Sequence, residues 1–257
     1  MSQPDISPNT LTLPLDEVIG VALRAFRAIG FNRQEAFDSV RNLLYGALRG
    51  GKNYHGFDRF PWIARQVGKT FVPGRAMTVE HADAERSFLR LQGNKGLGYT
   101  QIYAALLHAE AALKDRNVVH IGLIDSYPTN CMGDYAAILA NMGFCAYLGT
   151  VSPNRVAWPG SPVPKLSTSG QAFAFPGDPP VVLDFAVGAT TNGDIVYHKK
   201  HGLPLPTDCC LDGDGNPTTD PGAVVDDNGA MIGSILPRGG ASAGTILGGM
   251  GVVMMIH

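Results

Sequence analysis

Apolar residues recur at helical spacing through the first part of the chain. Val18, Ala22, Ala25, Phe26 and Ile29 form one stripe, which predicts a helix over residues 15–29. Pro14 opens it, Asp16 and Glu17 suit its positive end, and Gly30 stops it. Asn32 followed by Glu35 reads as a capping box with Asn in place of the usual Ser or Thr. The helix it starts carries Ala36, Val40, Leu43, Leu44 and Ala47 on one face and runs into Gly50-Gly51. Residues 57–67 predict a third helix, shortened or kinked near Pro61.

The period then changes. Residues 77–81 and 88–91 alternate as a hairpin or two edge strands would. Gly93-Asn94-Lys95-Gly96-Leu97-Gly98 reads as a turn before a strong helix, on which Ile102, Ala105, Leu106, Ala109 and Leu113 are spaced. Residues 118–124 are nearly continuous apolar and predict a central strand; residues 144–151 predict another buried one, with a small-residue helix over 133–142 between them. Residues 172–175 and 181–186 are further strands, and 212–221 is a loop dense in Asp, Gly, Asn and Pro. The expected fold class is α/β, a helical N-terminal portion (14–75) packed with a mixed central sheet (76–257), forming one domain over 14–257 behind a flexible tail at 1–13.

Composition narrows the partners. Of 257 residues, 45% are hydrophobic and 16% charged, with a net charge of −2, which describes a globular chain with no basic block for nucleic acid or an anionic membrane. The N-terminus lacks a signal-peptide pattern, and no window offers the roughly 18 uninterrupted apolar residues of a membrane-spanning helix. Cys131, Cys145, Cys209 and Cys210 are irregularly spaced, so neither a disulfide framework nor a metal site is expected, and a cytoplasmic location follows as the default.

Candidate chemistry concentrates in Gly50-Gly51-Lys52-Asn53-Tyr54-His55-Gly56-Phe57-Asp58-Arg59. If His55 and Arg59 open one helix, they lie about a turn apart on the same side, one able to handle a proton and the other to hold a carboxylate. A solvated His beside a surface Arg is the plainer reading. Asp184 closes the apolar run Val181-Val182-Leu183, a position open either to an active-site carboxylate or to a strand-end cap. Other motifs point away from chemistry. The 93–98 glycines lack a dinucleotide fingerprint, Pro217 and Ala223 break a calcium-loop reading of 212–223, and His198 and His201 sit among Lys199 and Lys200 on a basic helix face.

Taken in order, these segments resemble the malate/L-lactate dehydrogenase family that lacks a Rossmann fold, which also includes sulfolactate and ureidoglycolate enzymes and cyclic-imine reductases. Tyr54-His55-Gly56-Phe57-Asp58-Arg59 is similar to its Ser-His-Gly-x-x-Arg loop, with Tyr54 replacing the serine. Residues 171–176 with 182–186, the Asp-Pro-terminated loop 212–221, and Leu236-Pro237-Arg238-Gly239-Gly240 resemble three further family segments. The resemblance implies NAD(P)-dependent reduction of a small 2-oxo acid or cyclic imino acid, or the reverse oxidation, in a homodimer. It casts His55 as proton donor or acceptor with Tyr54 beside it, Arg59 as the clamp on the substrate carboxylate, and Asp184 as the group that orients the site. Ser126, Thr168, Ser169, Gly239 and Gly240 fall on positions implied to contact NAD or NADP.

Several positions depart from the family pattern. Where it has Asn-Ser-x-His-Phe-Gly, this chain reads Asp125-Ser126-Tyr127-Pro128-Thr129-Asn130, so Pro128 replaces a second histidine. Ser167-Thr168-Ser169-Gly170 replaces Gly-Thr-Asn-Pro, and Ser242-Ala243 replaces a Lys-Gly. The family's C-terminal segment is expected to be missing after His257. These departures support two alternatives: a non-redox isomerase, cyclase or lyase of a carboxylated substrate on the same scaffold, and a catalytically silent fragment or partner subunit.

Overall fold

The computed structural model describes residues 12–49, 55–83, 85, 87–158 and 161–238. Helix α1 (Leu15–Ala28) follows Pro14, and α2 (Arg33–Leu48) starts from the predicted capping box. Asn32 Oδ1 accepts the Glu35 N–H at 3.0 Å while the Glu35 carboxylate accepts the Asn32 N–H at 2.9 Å. A 3-10 turn (Phe57–Arg59) leads into α3 (Phe60–Gln66), whose first turn holds Pro61, where a missing N–H costs no helical bond. Phe26, Phe31, Leu43, Ile63, Phe71, Leu97 and Tyr99 form the core beneath these helices.

Strand β1 (Thr78–Asp83) pairs antiparallel with β2 (Phe88–Leu97). Helix α4 (Gly98–Leu113) then crosses over to β3 (His120–Tyr127), which pairs parallel with β2. Of the 93–98 run, Gly98 does start the helix, but Gly93 and Gly96 are not in a turn. They lie inside β2 as a bulge, with Asn94 and Lys95 at φ 53° and 57°. A Cβ at Gly93 or Gly96 would come within 2.5 or 1.9 Å of the Gln101 amide, which donates to Gly93 O at 2.7 Å. The glycines make room for that side chain. Among the described residues β3 is an edge strand of this sheet rather than a central one, since β2 alone pairs with it.

Helix α5 (Met132–Asn141) precedes β4 (Ala146–Gly149), β5 (Asn154–Ala157) and β6 (Pro164–Ser167). Next come β7 (Gly170–Phe175), β8 (Val181–Ala186) and α6 (Asn192–His201), then the short strands β9 (Cys210–Leu211) and β10 (Ser234–Ile235). Strands β4, β7 and β8 form an antiparallel sheet in that order, against which α5 packs through Met132, Tyr135, Ala136 and Ala140. The third sheet runs β6-β5-β10-β9, with β5 and β10 parallel and its other pairs antiparallel. The expected mixed pairing is thus divided among three small sheets. β4 is half exposed rather than buried, because its side chains alternate between α5 and solvent, where Tyr147 lies. Among the described residues no helix is long and apolar enough to cross a membrane.

Candidate active site

Helix α2 is the spine of the site. Glu35, Asp38, Ser39 and Asn42 recur at helical spacing and are all buried, so this helix carries a polar stripe into the interior beside its apolar one. Asn42 is fully buried and one turn before Gly46. A Cβ at Gly46 would lie 2.3 Å from His55 O, so only glycine lets the chain around His55 cross the helix this closely.

Asn42 grips the segment joining β3 to α5. Its Nδ2 donates to Cys131 O at 3.1 Å, and its Oδ1 accepts from Cys131 N at 3.4 Å and from Asn130 Nδ2 at 2.9 Å. Asn130 Nδ2 also donates to His55 O at 3.1 Å, and Asn130 Oδ1 lies 3.1 Å from His55 Nδ1. Asn130 has φ 54°, a conformation its short polar side chain tolerates better than most. His55 and Asn130 are both half-buried.

Asp184 arrives from β8, opposite Ala172 of β7. Its Oδ2 accepts the Gly133 N–H at 2.7 Å, in the first turn of α5, where the helix favours negative charge. A Cβ at Gly133 would sit 2.9 Å from Tyr45 Oη and 3.0 Å from Asp184 Cβ, so that glycine allows α2, α5 and β8 to meet. Crowding by protein raises the Asp184 pKa above the usual carboxylate value, and the Gly133 N–H, the His55 charge and the Met132 N–H oppose the rise. Water still reaches the residue, which limits the effect. Asp184 therefore does not cap the turn that follows its own strand; it caps the first turn of α5, 51 residues earlier in the chain, and lies within the field of His55.

Arg59 closes the other side. Its guanidinium lies 4.8 Å from the centre of the Trp62 ring, and Trp62 meets Tyr127 edge-on at 5.9 Å. Burial pushes the Tyr99 hydroxyl up to about 12, against the lowering pull of Arg59. Burial likewise pushes the Cys131 thiol up to about 12; Asp184 and Asp134 add to this and Arg59 opposes it. A thiol held that high stays protonated, so Cys131 is not a nucleophile. Its surroundings do show that it feels both Asp184 and Arg59. His55 and Arg59, four residues apart, and Asp184, far along the chain, all bear on the 130–133 segment: His55 through Asn130, Asp184 through the Gly133 N–H, and Arg59 through its field at Cys131.

The remaining predicted positions are dispersed. Ser126 lies against Gly93 of β2, its Oγ buried without a partner among the described residues. Thr168 bonds Ser152 through its hydroxyl at 3.0 Å and takes the Val187 N–H on its carbonyl at 2.8 Å. Ser169 is tied to Ser167 at 2.6 Å between hydroxyls. These residues fit a dinucleotide in one respect: a buried, unpaired hydroxyl is a group that a bound amide or ribose satisfies, and Ser126 supplies it on the strand leading into the 127–131 segment. The 168–169 turn abuts the start of α5, since a Cβ at Gly170 would lie 3.8 Å from Met132 Cγ. Tyr54, Gly239 and Gly240 lie outside the described residues.

Asn42, Tyr45, Gly46, Asn130 and Gly133 shape the site without having been singled out in the sequence. For Asn42 a signal exists: a polar stripe at positions 35, 39 and 42 on a helix with a neighbouring apolar face must find partners. The other motifs resolve structurally. Asp212 Oδ1 accepts the Asp214 and Asn216 N–H groups at 3.0 and 2.8 Å, a local turn. On the basic face of α6 Lys200 and His201 are exposed, while His198 Nδ1 meets Pro204 O at 2.7 Å and Lys199 pairs with Asp227 at 2.9 Å. The four cysteines are free thiols, and no group of residues suited to a metal occurs among those described.

Known proteins share this fold. Two solved structures superpose closely: a dehydrogenase from Sinorhizobium meliloti, with TM-score 0.85 and 25% identity over 96% of this chain and 70% of that one, and delta1-piperideine-2-carboxylate reductase from Pseudomonas syringae, with TM-score 0.80 and 26% identity over 96% and 71%. Among characterised relatives, (2R)-3-sulfolactate dehydrogenase (NADP+) of Chromohalobacter salexigens is 29% identical over 91% of this chain and 68% of its own length. Delta(1)-pyrroline-2-carboxylate reductase 2 of Burkholderia multivorans is 30% identical over 87% and 65%. The chain spans about two thirds of the length of these relatives. The malate/L-lactate dehydrogenase profile matches residues 13–257. With that match and this fold, the chain belongs to the malate/L-lactate dehydrogenase family.

Proposed function

We propose that the protein is an NAD(P)-dependent oxidoreductase that reduces a small 2-oxo acid or cyclic imino acid, or oxidises the product in reverse. The observation that supports this reading is that an acid–base group, a cation and a carboxylate all bear on the 130–133 segment, His55 through Asn130, Asp184 through the Gly133 N–H and Arg59 through its field at Cys131. The names of its relatives, an NADP+ sulfolactate dehydrogenase and pyrroline-carboxylate reductases, support the same chemistry. The cofactor, NAD or NADP, supplies the hydride.

The chain's own residues handle the rest. His55 gives a proton to the carbonyl oxygen or imine nitrogen as the adjacent carbon is reduced, and takes it back in the reverse direction. Arg59, stacked on Trp62, offers its two-pronged face to the substrate carboxylate, which fixes the reacting carbon relative to His55. Asp184 lies within the electrostatic field of His55 and helps orient the site. Tyr54 stands next to His55 in sequence and is a second hydroxyl for the substrate. Ser126, Thr168 and Ser169, with Gly239 and Gly240, hold the cofactor. The protein works as a cytoplasmic homodimer, with residues 14–257 as one domain.

The test is a titration of NADH and NADPH followed by turnover assays with 2-oxo acids and five- and six-membered cyclic imino acids. Binding of one cofactor with its oxidation by one substrate class is the expected result. No binding of either at millimolar concentration would sink the proposal and favour a non-redox or silent protein on this scaffold.

A further inference from the structure

We infer that Asn130 is a positioning residue that holds His55 as its Nδ1–H tautomer, and that Asn42 transmits this choice from the Cys131 backbone. A side-chain amide can be turned either way, so its neighbours must decide which end donates. For Asn42 they do. Its nitrogen faces Cys131 O, which only accepts, and its oxygen faces Cys131 N, which only donates. The reversed amide would set oxygen against oxygen and N–H against N–H.

Asn42 Oδ1 then faces Asn130, so the Asn130 group that meets it must be the NH2. The same NH2 points at a second pure acceptor, His55 O. Both contacts leave Oδ1 as the end of Asn130 that meets His55 Nδ1. An amide oxygen cannot donate, so His55 Nδ1 carries the hydrogen. In the neutral ring the lone pair therefore sits on Nε2. Five contacts linking Cys131, Asn42, Asn130 and His55 fix which ring nitrogen exchanges the proton.

This device belongs to the chain's departures. Asn130 stands where the resembled pattern has glycine, two residues after Pro128 replaces its second histidine. Glycine has no side chain with which to contact His55. The chain has removed one histidine and placed an amide on the other. Proton transfer is then assigned to Nε2: the imidazolium gives its Nε2 proton to the oxygen or nitrogen beside the carbon that receives hydride, and returns to the neutral Nδ1–H ring. That step rests on the proposed reductase activity; the tautomer does not.

Nitrogen NMR of the resting protein labelled with 15N-histidine reads the tautomer directly, with the His55 signal assigned by its loss in His55→Gln. With the ring in its neutral form, the expected spectrum has a protonated Nδ1 and an unprotonated Nε2. In Asn130→Leu the ring should revert to a mixture or to Nε2–H, and kcat should fall roughly 10- to 100-fold, the usual effect of losing such a supporting contact, with cofactor affinity unchanged. An Nε2–H ring in the wild type overturns the inference, as does an Asn130→Leu protein with unaltered tautomer and kcat. Should Asn130→Leu fail to fold, the wild-type spectrum still decides. Because neither cofactor nor substrate is present, an inactive protein with the expected tautomer would refute the reductase reading alone.

Discussion

Two side-chain amides among the described residues are fully buried, Asn42 on α2 and Gln171 on β7, and they have opposite surroundings. Asn42 is bonded at both ends, to backbone and to Asn130, and through them to His55. Gln171 makes no hydrogen bond at either end to any described residue. One amide lies in a closed network that holds a reactive group still. The other lies at the start of the strand entered from the 168–169 turn, whose Ser167 and Ser169 hydroxyls bond each other and leave the Gln171 amide out. A buried polar group stabilises in the first setting and costs in the second, so burial alone says little about what a residue contributes.

The largest effect should come from opening the closed network. Asn42→Leu takes the partner from Cys131 O, from Cys131 N and from one N–H of Asn130, at about 1–3 kcal/mol for each group left unpaired away from water, and it should also loosen the hold of Asn130 on the His55 ring. Chemical denaturation measures the loss of stability, and a cost no greater than that of a surface change would break the contrast.

Arg59→Ala acts on the rim of the same region. It removes a charged hydrogen-bonding group, so KM for the carboxylated substrate should rise roughly 10- to 100-fold with a smaller change in kcat. Arg59→Lys should recover little, because an ammonium can neither fork to a carboxylate nor lie flat on Trp62. An unchanged KM in the steady state would remove the clamp from the account.

Asp38 adds a dependence on pH. Burial raises its pKa above the unfolded value of 3.8, with Gln34, Thr100 and Arg41 opposing. Between the two values the native state holds more protons than the unfolded one, so this group makes stability fall as pH rises through that window. Asp38→Asn cannot titrate. Its melting temperature relative to wild type should therefore increase from pH 4 upward, and a constant difference across thermal melts would contradict the assignment.

The smallest effect belongs to the unlinked amide. Gln171→Met keeps the volume and removes two unpaired polar ends, so stability should stay within about 1 kcal/mol of wild type or exceed it. A loss as large as that of Asn42→Leu would show that Gln171 is as well bonded as Asn42.

Much of this architecture was legible in the sequence for local reasons. The capping box at Asn32 and Glu35, Pro61 at the start of a helix, and the run 181–186 each depend on near neighbours in the chain. What escaped depends on distant ones. The 93–96 glycines look like a turn until Gln101 is seen filling the space above them. Residues 118–124 are apolar enough for a central strand, yet the strand pairs on one side only among the described residues. His55, Arg59 and Asp184 were legible through the family resemblance, whereas Asn130 was visible only as a departure from it. Nothing local says that an asparagine there will meet a ring nitrogen of a residue 75 positions away.

The central claim is that His55 exchanges the proton while other groups bind. The most direct measurement is turnover of His55→Gln beside its cofactor affinity. The account predicts that kcat falls by roughly 10²- to 10⁴-fold, the usual share of a general acid, while NAD(P)H binds as tightly as before. Wild-type kcat in His55→Gln would contradict it.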